Sequence, residues 1–182
     1  MNIFIIHGAY GNPEENWFPW LKIELEKLGH KVVVPKFPTP EGQSLTNWLN
    51  IFKQYEQYLP NSILIGHSLG PAFILNLLET NPVKASFFVS GFIDSLGNPE
   101  FDNINRSFIK DFNWIKIKQN CPKFFVFHSD NDPYVPLEKA EELANRLQTK
   151  ITLVKGAGHF NKDSSYLKFE LLLDMIKTFS KN

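Results

Sequence analysis

The segment Ile63-Leu64-Ile65-Gly66-His67-Ser68-Leu69-Gly70-Pro71 constrains the fold more than any other part of the chain. There an apolar run of strand type meets an apolar run of helix type across a G-x-S-x-G pentapeptide. Ile63, Leu64 and Ile65 are bulky or β-branched, as a buried strand requires, and Ala72 to Leu78 continues without a turn signal until Asn81-Pro82. A helix apolar almost all round is a buried helix. A serine on a sharp strand-to-helix turn is a nucleophile elbow, in which Gly66 and Gly70 keep Cβ atoms out of a crowded bend. Ser68 is therefore the candidate nucleophile. The alternative is a surface turn that merely needs two glycines.

Composition bounds what such a turn can serve. With 182 residues, 43% of them hydrophobic and 21% charged, the chain is long enough for one domain with a sizeable core, and a single domain over 1–182 is expected. Nineteen basic and nineteen acidic residues cancel, so no net field draws the chain to nucleic acid or an anionic membrane. Cys121 is the only cysteine, which excludes an internal disulfide framework and a thiolate zinc cluster and suggests a reducing compartment. The apolar start Ile3–Ile6 is too short for a signal-peptide core, and no run approaches the roughly 18 apolar residues of a membrane span. A cytoplasmic protein is expected.

Read in order, apolar runs alternate with helical periods. Strands are expected at Ile3–Ile6, Val32–Val34, Ile63–Ile65, Ala85–Ser90, Phe124–Phe127 and Ile151–Val154. Between them, Phe18, Leu21, Leu25 and Leu28 share a helical face, with Asn16 as N-cap, Pro19 in the first turn and Gly29 as the left-handed cap. Leu45, Trp48, Leu49 and Phe52 form a second face behind Ser44 as cap. Ala140, Leu143, Ala144 and Leu147 form another, and a final helix carries Leu167, Leu171, Met175 and Phe179. Residues 92–122 lack a clean period but are rich in aromatics, which suggests a cap segment over the catalytic edge. Six strands alternating with helices predict a mainly parallel sheet covered on both faces, with ligands bound beyond the carboxyl ends of the strands.

Three candidates stand just past such ends: Ser68 after the third strand, Asp132 after the fifth and His159 after the sixth. The order Ser, Asp, His is that of the α/β-hydrolase fold, here in a minimal version. His159 would act as general base and Asp132 would orient its imidazole, because a hydroxyl is a poor nucleophile without a base near neutrality. Backbone N–H groups of Leu69 and Ala9 are the expected oxyanion donors, with Tyr10 in reserve for Ala9 and with Gly8 permitting the turn before it. Asp130 and Asp94 rival Asp132 as the acid, and Asp132 before Pro133 could serve a turn alone. His7 and His67 read as structural, without a carboxylate or cysteine at ligand spacing, so no metal and no cofactor is expected. His128 has no partner visible in the sequence. Tyr10, Trp17, Phe92, Phe108, Trp114 and Tyr134 are the aromatic residues expected to line a substrate pocket, although large apolar residues also serve to seal a core.

The match extends beyond the fold. His7-Gly8, Asn16-Trp17-Phe18-Pro19-Trp20, Gly66-His67-Ser68-Leu69-Gly70, Val89-Ser90-Gly91-Phe92, Asn120-Cys121-Pro122, Ser129 to Pro136 and Gly158-His159-Phe160 together span nearly the whole chain. In these pieces the chain resembles the small serine hydrolases related to retinoblastoma-binding protein nine and the bacterial YdeN branch. The resemblance implies a minimal α/β-hydrolase with nucleophile, acid and base at Ser68, Asp132 and His159, and favours Asp132 over Asp130. An L-x-C-x-E segment is absent, since Gln119 and Lys123 flank Cys121 at the two outer positions, so a retinoblastoma-type partner is not implied. The expected reaction is hydrolysis of a small carboxylic ester, thioester or activated amide through an acyl-enzyme. The alternatives are acyl transfer by the same residues and a hydrolase-fold binding protein that has lost turnover. The expected partner is a small-molecule substrate; the oligomeric state is not legible.

Overall fold

A computed structural model describes residues 1–181. Its strands are β1 (Asn2–Ile6), β2 (Lys31–Val33), β3 (Ile63–His67), β4 (Ala85–Val89), β5 (Phe124–Ser129) and β6 (Ile151–Val154). Its helices are α1 (Phe18–Lys27), α2 (Leu45–Phe52), α3 (Gly70–Leu78), α4 (Pro99–Asn105), α5 (Trp114–Asn120), α6 (Leu137–Leu147) and α7 (Glu170–Ser180). The strands form one sheet in the order β2-β1-β3-β4-β5-β6, and every pairing is parallel. The chain runs outward from β1 to β2 and then returns to the other side of β1 with β3. Ligands of open α/β sheets bind at such a reversal of strand order.

Alternate residues of the central strands feed two apolar layers, because successive side chains of a strand point to opposite faces. Leu64, Phe88 and Val126 pack with Trp48, Phe52, Phe73 and Leu143 beneath α2, α3 and α6. Ile63, Ile65, Phe87 and Phe127 pack with Phe18, Leu21, Leu25, Leu172 and Ile176 beneath α1 and α7. Ser44 caps α2 as its sequence position suggests, its side chain accepting from the Asn47 N–H at 3.2 Å.

Two helix readings need correction. The N-cap of α1 is Trp17, while Asn16 sits at φ 55° and its Oδ1 accepts from the Lys162 N–H at 2.9 Å. A carboxamide bound to a loop 146 residues away is not available to the helix. In α7 the buried face is Leu172, Leu173 and Ile176, with Leu171 43% exposed and Leu167 lying before the helix at 57%. Three consecutive leucines, Leu171 to Leu173, fit the helical period in more than one phase, and docking against the sheet selects the phase.

The aromatic segment divides in two. Phe92, Leu96, Phe101 and Asn105 face a cavity at the carboxyl edge of the sheet. Phe108, Phe112, Ile117 and Cys121 are buried in the layer beneath α3, where the Phe108 ring meets Trp48 at 4.8 Å between centroids. Among the described residues no helix is long and apolar enough to cross a membrane.

Candidate active site

Ser68 follows β3 with φ 59°, a left-handed conformation that is uncommon for a residue with a side chain. The strain is held by the hydrogen bond from its N–H to the Val89 carbonyl at 2.9 Å and by the close seating of α3. A Cβ on Gly66 would lie 2.6 Å from the Pro71 nitrogen, and one on Gly70 2.5 Å from the Ile6 carbonyl oxygen. Only glycine fits either place. Gly8 has a different role from the one its sequence suggests: its φ is not positive, and a Cβ there would lie 2.6 Å from the Ser68 Cβ. It clears space for the serine.

His159 follows β6 and is 7% exposed. Its Nδ1 lies 2.8 and 3.0 Å from the two carboxylate oxygens of Asp132. An ionised carboxylate only accepts, so Nδ1 carries the proton and Nε2 is left as a base. Burial pushes the Asp132 carboxyl up. The His159 hydrogen bond and charge, with the N–H groups of Tyr134 and Val135 donating to Oδ1 at 2.9 and 3.0 Å, outweigh it and hold the group below its ordinary value. The two rivals are engaged elsewhere. Asp130 Oδ1 accepts from the Gly156 N–H at 2.8 Å, and Asp94 is exposed, with one oxygen accepting from the Ser95 N–H and the other 3.4 Å from Lys139 Nζ.

His159 is fixed from several sides. The N–H groups of Ala157 and Gly158 donate to Ser129 Oγ at 3.0 Å and Asn131 Oδ1 at 2.8 Å, so that with Asp130 three successive side chains grip three successive amides of the loop before His159. Trp17, expected in the pocket, instead donates from Nε1 to the Phe160 carbonyl at 3.0 Å. His67 donates from Nε2 to the His159 carbonyl at 2.8 Å, and its ring lies 4.8 Å from that of His159. His7 is structural in the way expected, with Nδ1 donating to the Gly8 carbonyl and Nε2 accepting from the Phe37 N–H. His128 donates from Nε2 to the Val135 carbonyl at 3.0 Å, a partner only the fold reveals.

Burial above all, reinforced by nearby His159, pushes His67 down to about 3, so the folded protein keeps it neutral. An unfolded chain protonates this imidazole below about pH 6.5. The stability it permits is therefore complete above that pH and is lost as pH falls towards the folded value, at about 2 kcal/mol by pH 5. Burial also lowers His7 and His128, with the same sign. Urea midpoints should fall between pH 7 and pH 5, and His67→Gln should flatten the slope; an unchanged wild-type midpoint would contradict a neutral buried His67.

Ser68 and His159 line one cavity of about 360 Å³ at the carboxyl edge of the sheet. The N–H groups of Ala9, beside it, and of Leu69 have no protein acceptor among the described residues, whereas the Tyr10 N–H donates to Thr39 Oγ1 at 2.7 Å. That bond removes Tyr10 as an alternative oxyanion donor. Of the expected pocket aromatics, Tyr10, Phe92 and Tyr134 line the cavity, while Trp17, Phe108 and Trp114 do not. Phe101 of α4, an aromatic of the expected cap segment but not one of the six named pocket residues, lines the cavity too: its ring meets Tyr10 at 6.4 Å and Tyr134 at 6.1 Å, and Tyr134 meets His159 at 5.0 Å.

A six-stranded parallel sheet with a serine on a strained turn after β3 and a His–Asp pair after β6 and β5 defines an α/β-hydrolase. The chain belongs to the serine hydrolase family, whose model matches residues 3–178. It is similar to serine hydrolase RBBP9 of Rattus norvegicus, at 29% identity over 163 residues, covering 89% of this chain and 85% of the relative. It is also similar to hydrolase YdeN of Bacillus subtilis (strain 168), at 29% identity over 182 residues, covering 97% and 95%. The crystal structure of the B. subtilis ydeN gene product superposes with a TM-score of 0.91 at 27% identity, covering 100% of this chain and 99% of that one. Est1E from Butyrivibrio proteoclasticus with bound ferulic acid shares the fold, with a TM-score of 0.74 at 19% identity over 98% and 87% of the two chains.

Proposed function

We propose that the protein hydrolyses small, uncharged carboxylic esters, or the corresponding thioesters and activated amides, through an acyl-enzyme on Ser68, in a reducing cytoplasmic compartment. The observation that carries this reading is the buried Asp132–His159 hydrogen bond facing the same cavity as a serine on a strained turn. In the first half-reaction Ser68 Oγ bonds to the substrate carbonyl carbon while its proton passes to His159 Nε2. The carbonyl π electrons move to oxygen, where the Ala9 and Leu69 N–H groups donate to the oxyanion; each such donor is worth about 3–4 kcal/mol in the transition state. Collapse expels the alcohol, thiol or amine, which takes the proton from His159. A water then repeats the sequence on the acyl-enzyme and releases the acid.

Phe92, Leu96, Phe101 and Val135 give the cavity an apolar part, distinct from Glu15, Asn16, Asn161, Lys162 and Asp163 elsewhere in its lining, and that part suits a compact uncharged acyl or aromatic group. A p-nitrophenyl ester series tests this. Each methylene that finds room should contribute roughly 0.8 kcal/mol, so kcat/KM should rise a few-fold per carbon and break where the wall is met. Phe101→Ala should move the break to a longer chain. Phe108→Ala should leave it in place and lower stability by about 3–5 kcal/mol, as loss of a buried ring does. A break that ignores Phe101 would show that the acyl group lies elsewhere.

A further inference from the structure

The geometry points to Asn105 as a substrate-recognising hydrogen-bond donor that selects acyl groups carrying an ether or keto oxygen. This rests on the hydrolase reading of the same cavity and deepens it. Asn105 ends α4, is 4% exposed, and lines both the main cavity and a smaller hollow beside it.

The orientation of its carboxamide follows from a directional chain. The Tyr10 N–H can only donate, and it donates to Thr39 Oγ1 at 2.7 Å. The Thr39 hydroxyl hydrogen is thereby free to go to Gln43 Oε1 at 2.6 Å. With its oxygen turned to Thr39, Gln43 presents its amino group to α4, donating one hydrogen to the Ile104 carbonyl and the other to Asn105 Oδ1, both at 2.9 Å. Asn105 Oδ1 therefore faces Gln43, and Nδ2, with two hydrogens, faces away from it.

No residue among those described accepts from Nδ2. It is also not one of the buried polar atoms cut off from both solvent and partner, such as Ser90 Oγ and His128 Nδ1. Its hydrogens reach the space that the residue lines. A buried donor without a protein acceptor favours a ligand that supplies one, because a ligand without an acceptor there forfeits the bond and displaces the water that made it. The smaller hollow is lined by Asp94, Ser95, Asp102 and Arg106, whereas the main cavity brings the apolar Phe92, Leu96, Phe101 and Val135, so in the main cavity one acceptor oxygen within an otherwise hydrocarbon acyl chain is the chemistry that fits.

The probes are p-nitrophenyl hexanoate and its 4-oxa and 5-oxa analogues, with rates divided by those of alkaline hydrolysis to remove inductive effects. The better oxa ester should exceed hexanoate in kcat/KM by about 5- to 50-fold. Asn105→Leu should bring the ratio to about 1. Asn105→Asp should do the same, because Oδ1 still accepts from Gln43 while a carboxylate oxygen replaces the Nδ2 donor. This second variant keeps the question open to test should the first fail to fold, and a purely structural Asn105 would not shift the ratio. A binding measurement needs no turnover: in Ser68→Ala protein the Asn105 side-chain amide resonance should move on titration with the ethyl ester of the oxa acid and stay in place with ethyl hexanoate. Ratios of about 1 for both oxa isomers in wild type, or an amide unmoved by them, would overturn the assignment. Absence of all ester turnover and of fluorophosphonate labelling at Ser68 would instead defeat the hydrolase reading, and the titration alone would then decide the role of Asn105.

Discussion

Ser68→Ala should lower ester turnover by about 10⁶-fold, the scale seen when the nucleophile of a cooperating serine site is removed. The fold should persist. Alanine keeps the Cβ that the elbow already accommodates, at a φ of 59° that is strained for either residue. The substitution only removes Oγ, so it adds nothing to the space that Gly8 leaves open beside the Ser68 Cβ. Whole-protein mass spectrometry after fluorophosphonate treatment makes the companion measurement. One adduct is expected, at Ser68, and none on Ser68→Ala. An adduct mapped to Ser90 or Ser129 would refute the assignment.

Asp132→Asn should cost about 10⁴-fold in kcat, because the amide can donate to Nδ1 and stabilise the tautomer whose Nε2 already carries a proton. The same change at the rival positions should be mild. Asn at 130 can still accept from the Gly156 N–H, and Asp94 holds only an exposed contact with Lys139 and the neighbouring Ser95 N–H. Melting temperatures separate chemistry from folding. Asp132 also accepts the Tyr134 and Val135 N–H groups, bonds that the Oδ1 of asparagine can keep, so the activity loss should far exceed the stability loss. A damaging Asp94→Asn would move the acid to the loop after β4.

The sheet and the elbow were legible because strands buried on both faces leave unbroken apolar runs, and because the space left at Gly66 and Gly70 admits no side chain. Asp132 could not be separated from Asp130 by chemistry alone. Both follow β5 on one loop, and only the folded positions show one facing His159 and the other facing Gly156. The cavity wall was legible in part. Residues 92–122 hold many aromatics without a period, and nothing in the sequence tells Phe101, which faces the cavity, from Phe108, which faces Trp48. Trp17 was misassigned for a related reason: its ring is large and near the site, but its N–H is engaged by a carbonyl 143 residues away. Contacts of that span, like those of Gln43 with Ile104 and Asn105 at separations of 61 and 62, leave no local mark.

The grip of Ser129, Asp130 and Asn131 on the amides of Gly156, Ala157 and Gly158 has a bearing on motion as well as on position. It pairs side chains of one loop with backbone of the other, so neither loop can swing out without breaking bonds to its neighbour. Fluctuations that open this edge of the sheet therefore release both loops in one step, as small cooperative units do. Asp132 and His159 belong to that unit together. Parting the two loops would therefore mean breaking these three bonds together with the Asp132–His159 bond itself.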